Sequence, residues 1–285
     1  MLILGAHMSI AGGFAQAALK TAGLKTEQLG CNAMQFFTKS PRGRMVKPID
    51  PQDAEQFKKY CKEFNIKHVV AHSSYLLNFG KPADAVPWAI KDILTDFERL
   101  NLLGGHGIVV HIGKSLDGDR SVALENVIEN AKKIIDLTRH TGLQYILENT
   151  AGQGSDIGFR LEELGQIWKE LKNFSPRIKS CLDTAHIWAA GYDISSQKAV
   201  QQTLKEYDQL IGLDTLSCIH FNDSKKLLGS RVDRHDNIGC GNIALEGLAA
   251  IARFAESRSI PLILETPEKD GKTHLDDLKV VKTFF

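Results

Sequence analysis

Six short apolar runs in this sequence end in a residue that can bind a metal or move a proton. They are Val-Val-Ala-His72, Ile-Val-Val-His111, Tyr-Ile-Leu-Glu148, Ser-Cys-Leu-Asp183, Cys-Ile-His220 and Leu-Ile-Leu-Glu265. Asp183-Thr-Ala-His186 and Asp233-Arg-His235 add further carboxylate and imidazole groups at spacings that let a turn or loop grip one ion. A lone His or Glu at a strand end is usually a cap or a hydrogen-bonded polar group, and His7, His68, His106, His140 and His274 are assigned that ordinary role. The other nine residues change meaning if they meet. Five imidazoles and four carboxylates in one small volume would repel one another and compete for partners, and cations are the simplest relief.

Imidazole mixed with carboxylate, without thiolate, suits zinc, and also manganese or iron. At about three or four protein ligands per zinc, with some carboxylates bridging, the set accommodates two or three ions. Three dications would add +6 to the formal net charge of +1, giving +7. That charge would be focused where the ligands meet, and an anionic phosphate is its obvious ligand.

The elements that must bring these residues together are legible in the spacing. Strand candidates fall at residues 2–7, 33–37, 68–72, 107–111, 144–148, 179–183, 217–221 and 261–265. Between them lie amphipathic segments such as 51–64, 86–103, 120–140, 161–171, 196–210 and 245–256. Strict strand-helix alternation predicts a parallel sheet, and eight units in 285 residues predict an α/β fold closed into a single (β/α)8 barrel over residues 1–285. In such a barrel the strand ends converge on one face, the face that carries chemistry.

Lys and Arg number 35 against 34 Asp and Glu, so bulk charge points to no polyanionic partner and any nucleic-acid reading rests on local clusters. Lys39, Arg42, Arg44 and Lys47 form one after the second strand; Lys225, Lys226, Arg231 and Arg234 form another after the seventh. The five cysteines contain no Cys-x-x-Cys pair, which argues against a disulfide framework and a thiolate zinc site. No basic leader or long apolar stretch opens the chain, so the expectation is a cytoplasmic protein with no membrane partner.

Several longer stretches carry a specific likeness: Gly5-Ala-His-Met-Ser-Ile-Ala-Gly-Gly13, His72-Ser-Ser-Tyr-Leu-Leu-Asn78, Leu147-Glu-Asn-Thr-Ala-Gly-Gln-Gly-Ser155, Leu182-Asp-Thr-Ala-His186, Ala190-Gly-Tyr-Asp193, His220-Phe-Asn-Asp223, Gly229-Ser-Arg-Val-Asp-Arg-His235 and Leu262-Ile-Leu-Glu-Thr266. In these motifs and their order the whole chain resembles endonuclease IV, the zinc-dependent apurinic/apyrimidinic endonuclease of base excision repair. The resemblance implies three zinc ions: His72 and His111 on the first, Glu148 bridging to a second completed by Asp183, His220 and Glu265, and His186, Asp233 and His235 on the third. It implies incision 5′ to abasic sites in double-stranded DNA, and action on 3′-blocking groups; one barrel facing DNA suggests a monomer, with no protein partner required. Glu148 and Glu265 would be the catalytic residues. A wedge of Arg42, Tyr75 and Leu76 would enter the DNA. Two positions depart from the family pattern: Ile112 follows His111 where relatives carry Pro, and Cys240 stands in Gly239-Cys-Gly241 where an acidic residue is common.

Other readings are distinguishable. A sugar isomerase or epimerase of the same barrel type needs one or two metals and has no use for His186, Asp233 and His235. A noncatalytic damage-binding module, or a barrel with purely structural zinc, would have its coordination closed by protein.

Overall fold

Apolar runs of about five residues are too short for a stable helix, and here they pair with one another in parallel. The computed structural model describes residues 2–27, 29–43, 46–116 and 118–285; Arg44 of the first basic cluster lies outside them. The strands β1 (Leu4–His7), β2 (Ala33–Phe37), β3 (His68–His72), β4 (Gly107–His111), β5 (Gln144–Glu148), β6 (Ile178–Asp183) and β7 (Leu216–His220) are joined by β10 (Leu262–Leu264). They close a barrel in the order β1-β10-β7-β6-β5-β4-β3-β2, as the alternation predicts. Four of the expected strands have their observed bounds; β7 begins and ends one residue earlier, and β10 is shorter at both ends.

The helices α2 (Pro51–Glu63), α3 (Pro87–Leu103), α4 (Arg120–Leu137), α5 (Leu161–Leu171), α7 (Gln197–Leu210) and α8 (Leu245–Arg258) follow the predicted segments. They are joined by α1 (Phe14–Gly23), α6 (Thr184–Ala190) and α9 (His274–Lys282). Their starts are chemically set. Asp50, Asp119 and Ser196 accept hydrogen bonds from the backbone N–H groups of Gln52, Ser121 and Ala199, which otherwise have no partner in the first turn. Among the described residues no helix is long and apolar enough to cross a membrane.

The pleat explains why the polar residues converge. Ala33, Val70, Val109, Ile146, Cys181, Cys218 and Ile263 form one buried layer across the barrel interior. Because side chains alternate along a strand, the residues two further along face the same way. Those residues are Gln35, His72, His111, Glu148, Asp183, His220 and Glu265. Six of the nine candidate ligands are therefore one layer above the apolar floor.

The remaining three are held by α6 and by a small hairpin, β8 (Asp223–Ser224) with β9 (His235–Asp236), that the periodicity does not foresee. Asp183 closes β6 and also caps α6, its Oδ1 accepting from the His186 N–H at 2.7 Å. The buried Asp223 carboxylate anchors the chain beyond the hairpin by accepting from four backbone N–H groups: Ser224 at 2.7 Å, Gly239 and Ile243 at 3.0 Å and Gly241 at 2.9 Å. Gly241 has no room for a side chain, since a Cβ would stand 2.4 Å from Asp223 Oδ1.

Removing one partner while buried donors remain costs about 1–3 kcal/mol per stranded group. Asp223→Ala is therefore expected to lower unfolding free energy by about 3 kcal/mol or more, with Asp223→Asn in between. Denaturant titration checks this; equal stability of the three proteins would contradict the anchoring role.

Candidate metal centre

Glu148 stands at the middle of the converging groups, fully buried at the end of β5. Its Oε2 lies 3.1 Å from His72 Nε2 and 3.0 Å from His111 Nε2. Its Oε1 lies 2.7 Å from His220 Nδ1 and 3.5 Å from His186 Nδ1. His220 Nδ1 is also 3.1 Å from Glu265 Oε2 and 3.9 Å from Asp183 Oδ2. Beside this group, Asp233 presents Oδ2 to His186 Nε2 and Oδ1 to His235 Nε2, each at 3.3 Å. All nine candidate ligands are thus brought together. Donor atoms of His72, His111 and Glu148 lie within 4.8 Å of one another, as do those of Glu148, Asp183, His220 and Glu265, and those of Asp183, His186 and His235. Asp183 therefore borders two groups.

The imidazoles are oriented from behind. His72 Nδ1 donates to the Ser73 carbonyl at 2.7 Å, His186 Nδ1 to the Asn149 carbonyl at 3.0 Å, and His220 Nε2 to Gln35 Oε1 at 2.8 Å. Each leaves its other ring nitrogen facing the carboxylates, the arrangement that outer hydrogen bonds impose on metal-ligating histidines. His235 Nε2 is buried and, although Asp233 Oδ1 stands 3.3 Å away, makes no hydrogen bond, so a cation would satisfy it. An all-nitrogen-and-oxygen donor set with such an orphan fits a divalent metal.

Electrostatics point the same way. Burial would lower the pKa of His186, but Asp183 and Asp233 raise it well above its ordinary value; Glu265 and Glu148 do the same for His220 against burial. Burial would raise Glu148, yet His220 and His111 hold it well below the usual carboxylate range. For Glu265, too, burial works upward and is outweighed, by His220 and a hydrogen bond from His7. Without a cation, these carboxylates would need protons on the imidazoles to supply the positive charge they require. Cations and these protons compete for the same places.

The structure also adds residues that sequence reasoning missed. Gln35 donates to Glu265 Oε1 at 2.6 Å, accepts from His220 and stands 3.0 Å from His7 Nδ1. Its signal was a single amide at an inward position of an otherwise apolar strand. His7, given only an ordinary role from sequence, lines the mouth with its Nδ1 3.5 Å from Glu265. Cys181 and Cys218, neighbours in register on β6 and β7, bring two thiols within 4.8 Å of a His220 nitrogen, which linear spacing does not reveal. All five cysteines are free.

A mouth cavity of 780 Å³ opens above the ligands, and His72, His111, His186, Asp233, His235 and Glu265 lie in its wall. At its rim Arg42 hydrogen-bonds the Tyr75 hydroxyl, and Tyr75 and Leu76 are 42% and 52% exposed. One basic residue is not available there. Lys39 is buried, its Nζ 2.5 Å from Asp96 and 3.1 Å from Asp92, so its charge is spent joining β2 to α3. Ile112 is buried and fills the space over Gly158, where a Cβ would stand 2.4 Å from Ile112 Cδ1. Cys240 is exposed with Lys272 Nζ 2.7 Å from its sulfur.

Residues 24–284 match the family described as xylose isomerase-like TIM barrel. The chain is 38% identical to the probable endonuclease 4 of Petrotoga mobilis over 293 aligned positions, covering 100% of this chain and 98% of that protein. The chain belongs to the endonuclease IV family. The crystal structure of endonuclease IV from Thermus thermophilus superposes with a TM-score of 0.84 at 32% identity, covering 99% of this chain and 98% of that one. A D-tagatose 3-epimerase-like protein shares the fold at a TM-score of 0.74 and 17% identity. Membership in the endonuclease IV family makes the chain a hydrolytic nuclease, and its His, Asp and Glu groups could hold metal.

Gln35 touches two candidate ligands without being one. Gln35→Leu is expected to weaken metal affinity about 10–100-fold with the barrel intact. Competition against a chromophoric chelator, with circular dichroism as the fold control, measures this; unchanged affinity would show that Gln35 positions nothing.

Proposed function

We propose that the chain hydrolyses the phosphodiester on the 5′ side of an abasic site in double-stranded DNA, leaving a 3′-hydroxyl and a 5′-deoxyribose phosphate. Removal of 3′-blocking groups follows from the same phosphodiester chemistry. The observation that carries this reading is the convergence of eight metal-type ligands, with Asp233 paired to His186 and His235 beside them, below an open mouth in a chain of the endonuclease IV family.

Three zinc ions suit the donor set, with manganese or iron as substitutes. His72, His111 and Glu148 would hold one, Glu148, Asp183, His220 and Glu265 a second, and His186, Asp233 and His235 a third. When bound, such ions supply a water acidic enough to attack at neutral pH and positive charge for the phosphate and the departing 3′ oxygen.

The side chains supply position. Glu148 is catalytic because it offers one oxygen to the His72 and His111 side and the other to His220, fixing both halves of the floor from one carboxylate. Glu265 is the second catalytic residue: Gln35 pins its Oε1, and the carboxylate faces the mouth where it orients the attacking water. A duplex cannot present its backbone to a recessed floor unless the damaged nucleotide turns outward, and a missing base lowers that cost. Tyr75 and Leu76, exposed at the rim with Arg42 bonded to the Tyr75 hydroxyl, have the character of a wedge that enters the groove and base stack. One chain contributes every residue of the site, which supports a monomer of one catalytic unit with no protein partner required. Five free thiols suit the reducing cytoplasm.

An end-labelled duplex with one abasic analogue tests the reading. The expected product is a single cut immediately 5′ of the lesion, while Glu148→Gln and Glu265→Gln keep the fold and lose at least about a hundredfold in rate. Cutting elsewhere, or variants close to wild type, would reject it.

A further inference from the structure

Three guanidinium groups gather on the ring of Phe159 in the segment between β5 and α5. Arg120, Arg160 and Arg231 place their Cζ atoms 5.1, 5.3 and 4.9 Å from the ring centroid. They differ in one respect. Arg120 is neutralised: Glu163 accepts from both its Nε and its Nη2, the latter at 2.7 Å, and Nη2 also donates to the Asp156 carbonyl at 2.8 Å. Arg160 and Arg231 are exposed, and neither has an ion-pair partner among the described residues. The nearby Glu162 turns instead toward the Tyr192 hydroxyl at 3.5 Å.

This pair is built rather than incidental. Phe159 is buried, and Gly152 leaves the space it occupies, since a Cβ there would meet the ring at 2.8 Å. Arg231 is held with φ at +52°, a left-handed backbone that an arginine adopts at a cost. Its N–H donates to the Ala189 carbonyl at 2.9 Å, and the Trp188 indole donates to the Lys226 carbonyl at 2.9 Å, so the loop that carries it is tied to α6. Two like charges converging on one ring, neither in an ion pair among the described residues, repel, and an anion relieves them. The aromatic face holds the guanidiniums ready, so little side-chain freedom is lost when the anion binds.

The position says which anion. Arg231 lies two residues before Asp233, and Gln153, from the same β5–α5 segment, accepts from the Asp233 N–H at 3.1 Å. The pair therefore stands on the strand-end face beside the group formed by His186, Asp233 and His235. We infer that Arg160 and Arg231, supported by Phe159, clamp backbone phosphates of the DNA duplex outside the metal floor. The inference rests on the proposed action on abasic duplex DNA.

Each phosphate neutralised contributes about 0.9 to the dependence of log affinity on log salt concentration. The test is steady-state cleavage of an abasic-analogue duplex by the metal-loaded enzyme across about 50–200 mM salt. It compares wild type with Arg160→Gln, Arg231→Gln, the double variant, and Lys59→Ala on α2 as a charge-matched control. Expected is a shallower salt slope of kcat/KM by about one for each arginine and about two for the double variant, with the loss in KM and the control at the wild-type slope. A double variant with wild-type KM and slope would overturn the clamp, as would a fall in kcat alone or an equal effect of Lys59→Ala. Wild type that ignores the abasic duplex altogether would instead overturn the substrate reading, and the clamp with it.

Discussion

The constraint on which this molecule turns is a carboxylate buried away from bulk solvent. Glu148 is fully buried and touches imidazoles from β3, β4, α6 and β7. A charge so placed is costly unless compensated, and here compensation comes either from protonated histidines or from cations. Everything nearby serves that balance. The pleat sets six ligands one layer above the apolar floor, Gln35 fixes His220 and Glu265, and Asp223 anchors the chain that follows Asp233 and His235.

A barrel suits this purpose because parallel strands bring residues distant in sequence to one plane. Asp183 and His220 are register partners on neighbouring strands, as are His111 and Glu148. The segments beyond the strands then need only add the mouth: Arg42 and Tyr75 on one side, and the hairpin with the arginine pair on the other. The fold is shared with an epimerase-like protein at 17% identity, so the barrel itself does not select the chemistry. Strand-end residues and segments do.

Much of this was legible in the sequence, for physical reasons. Most strand ends were visible because the apolar run stops at a carboxylate or imidazole group, and α5 was visible because its buried residues recur at helical spacing. The helices α1, α6 and α9 were not picked out: α6 has seven residues, nearly all buried, and so no polar face to set a period. A two-residue ladder such as β8 with β9 leaves no pattern at all. Gln35 and His7 escaped because one polar residue in an apolar strand has many meanings until its neighbours across the barrel are known. Lys39 misled for the converse reason, since a basic residue in a loop is indistinguishable in sequence from one that folds inward onto Asp92 and Asp96.

The central claim is that the nine groups share dications rather than merely hydrogen-bond one another. Crystals of the protein as purified, with anomalous diffraction measured on either side of the zinc absorption edge, test it most directly. The account predicts three zinc peaks among His72, His111, Glu148, Asp183, His186, His220, Asp233, His235 and Glu265. A well-ordered cluster with no anomalous peak, before and after soaking in zinc, would contradict it.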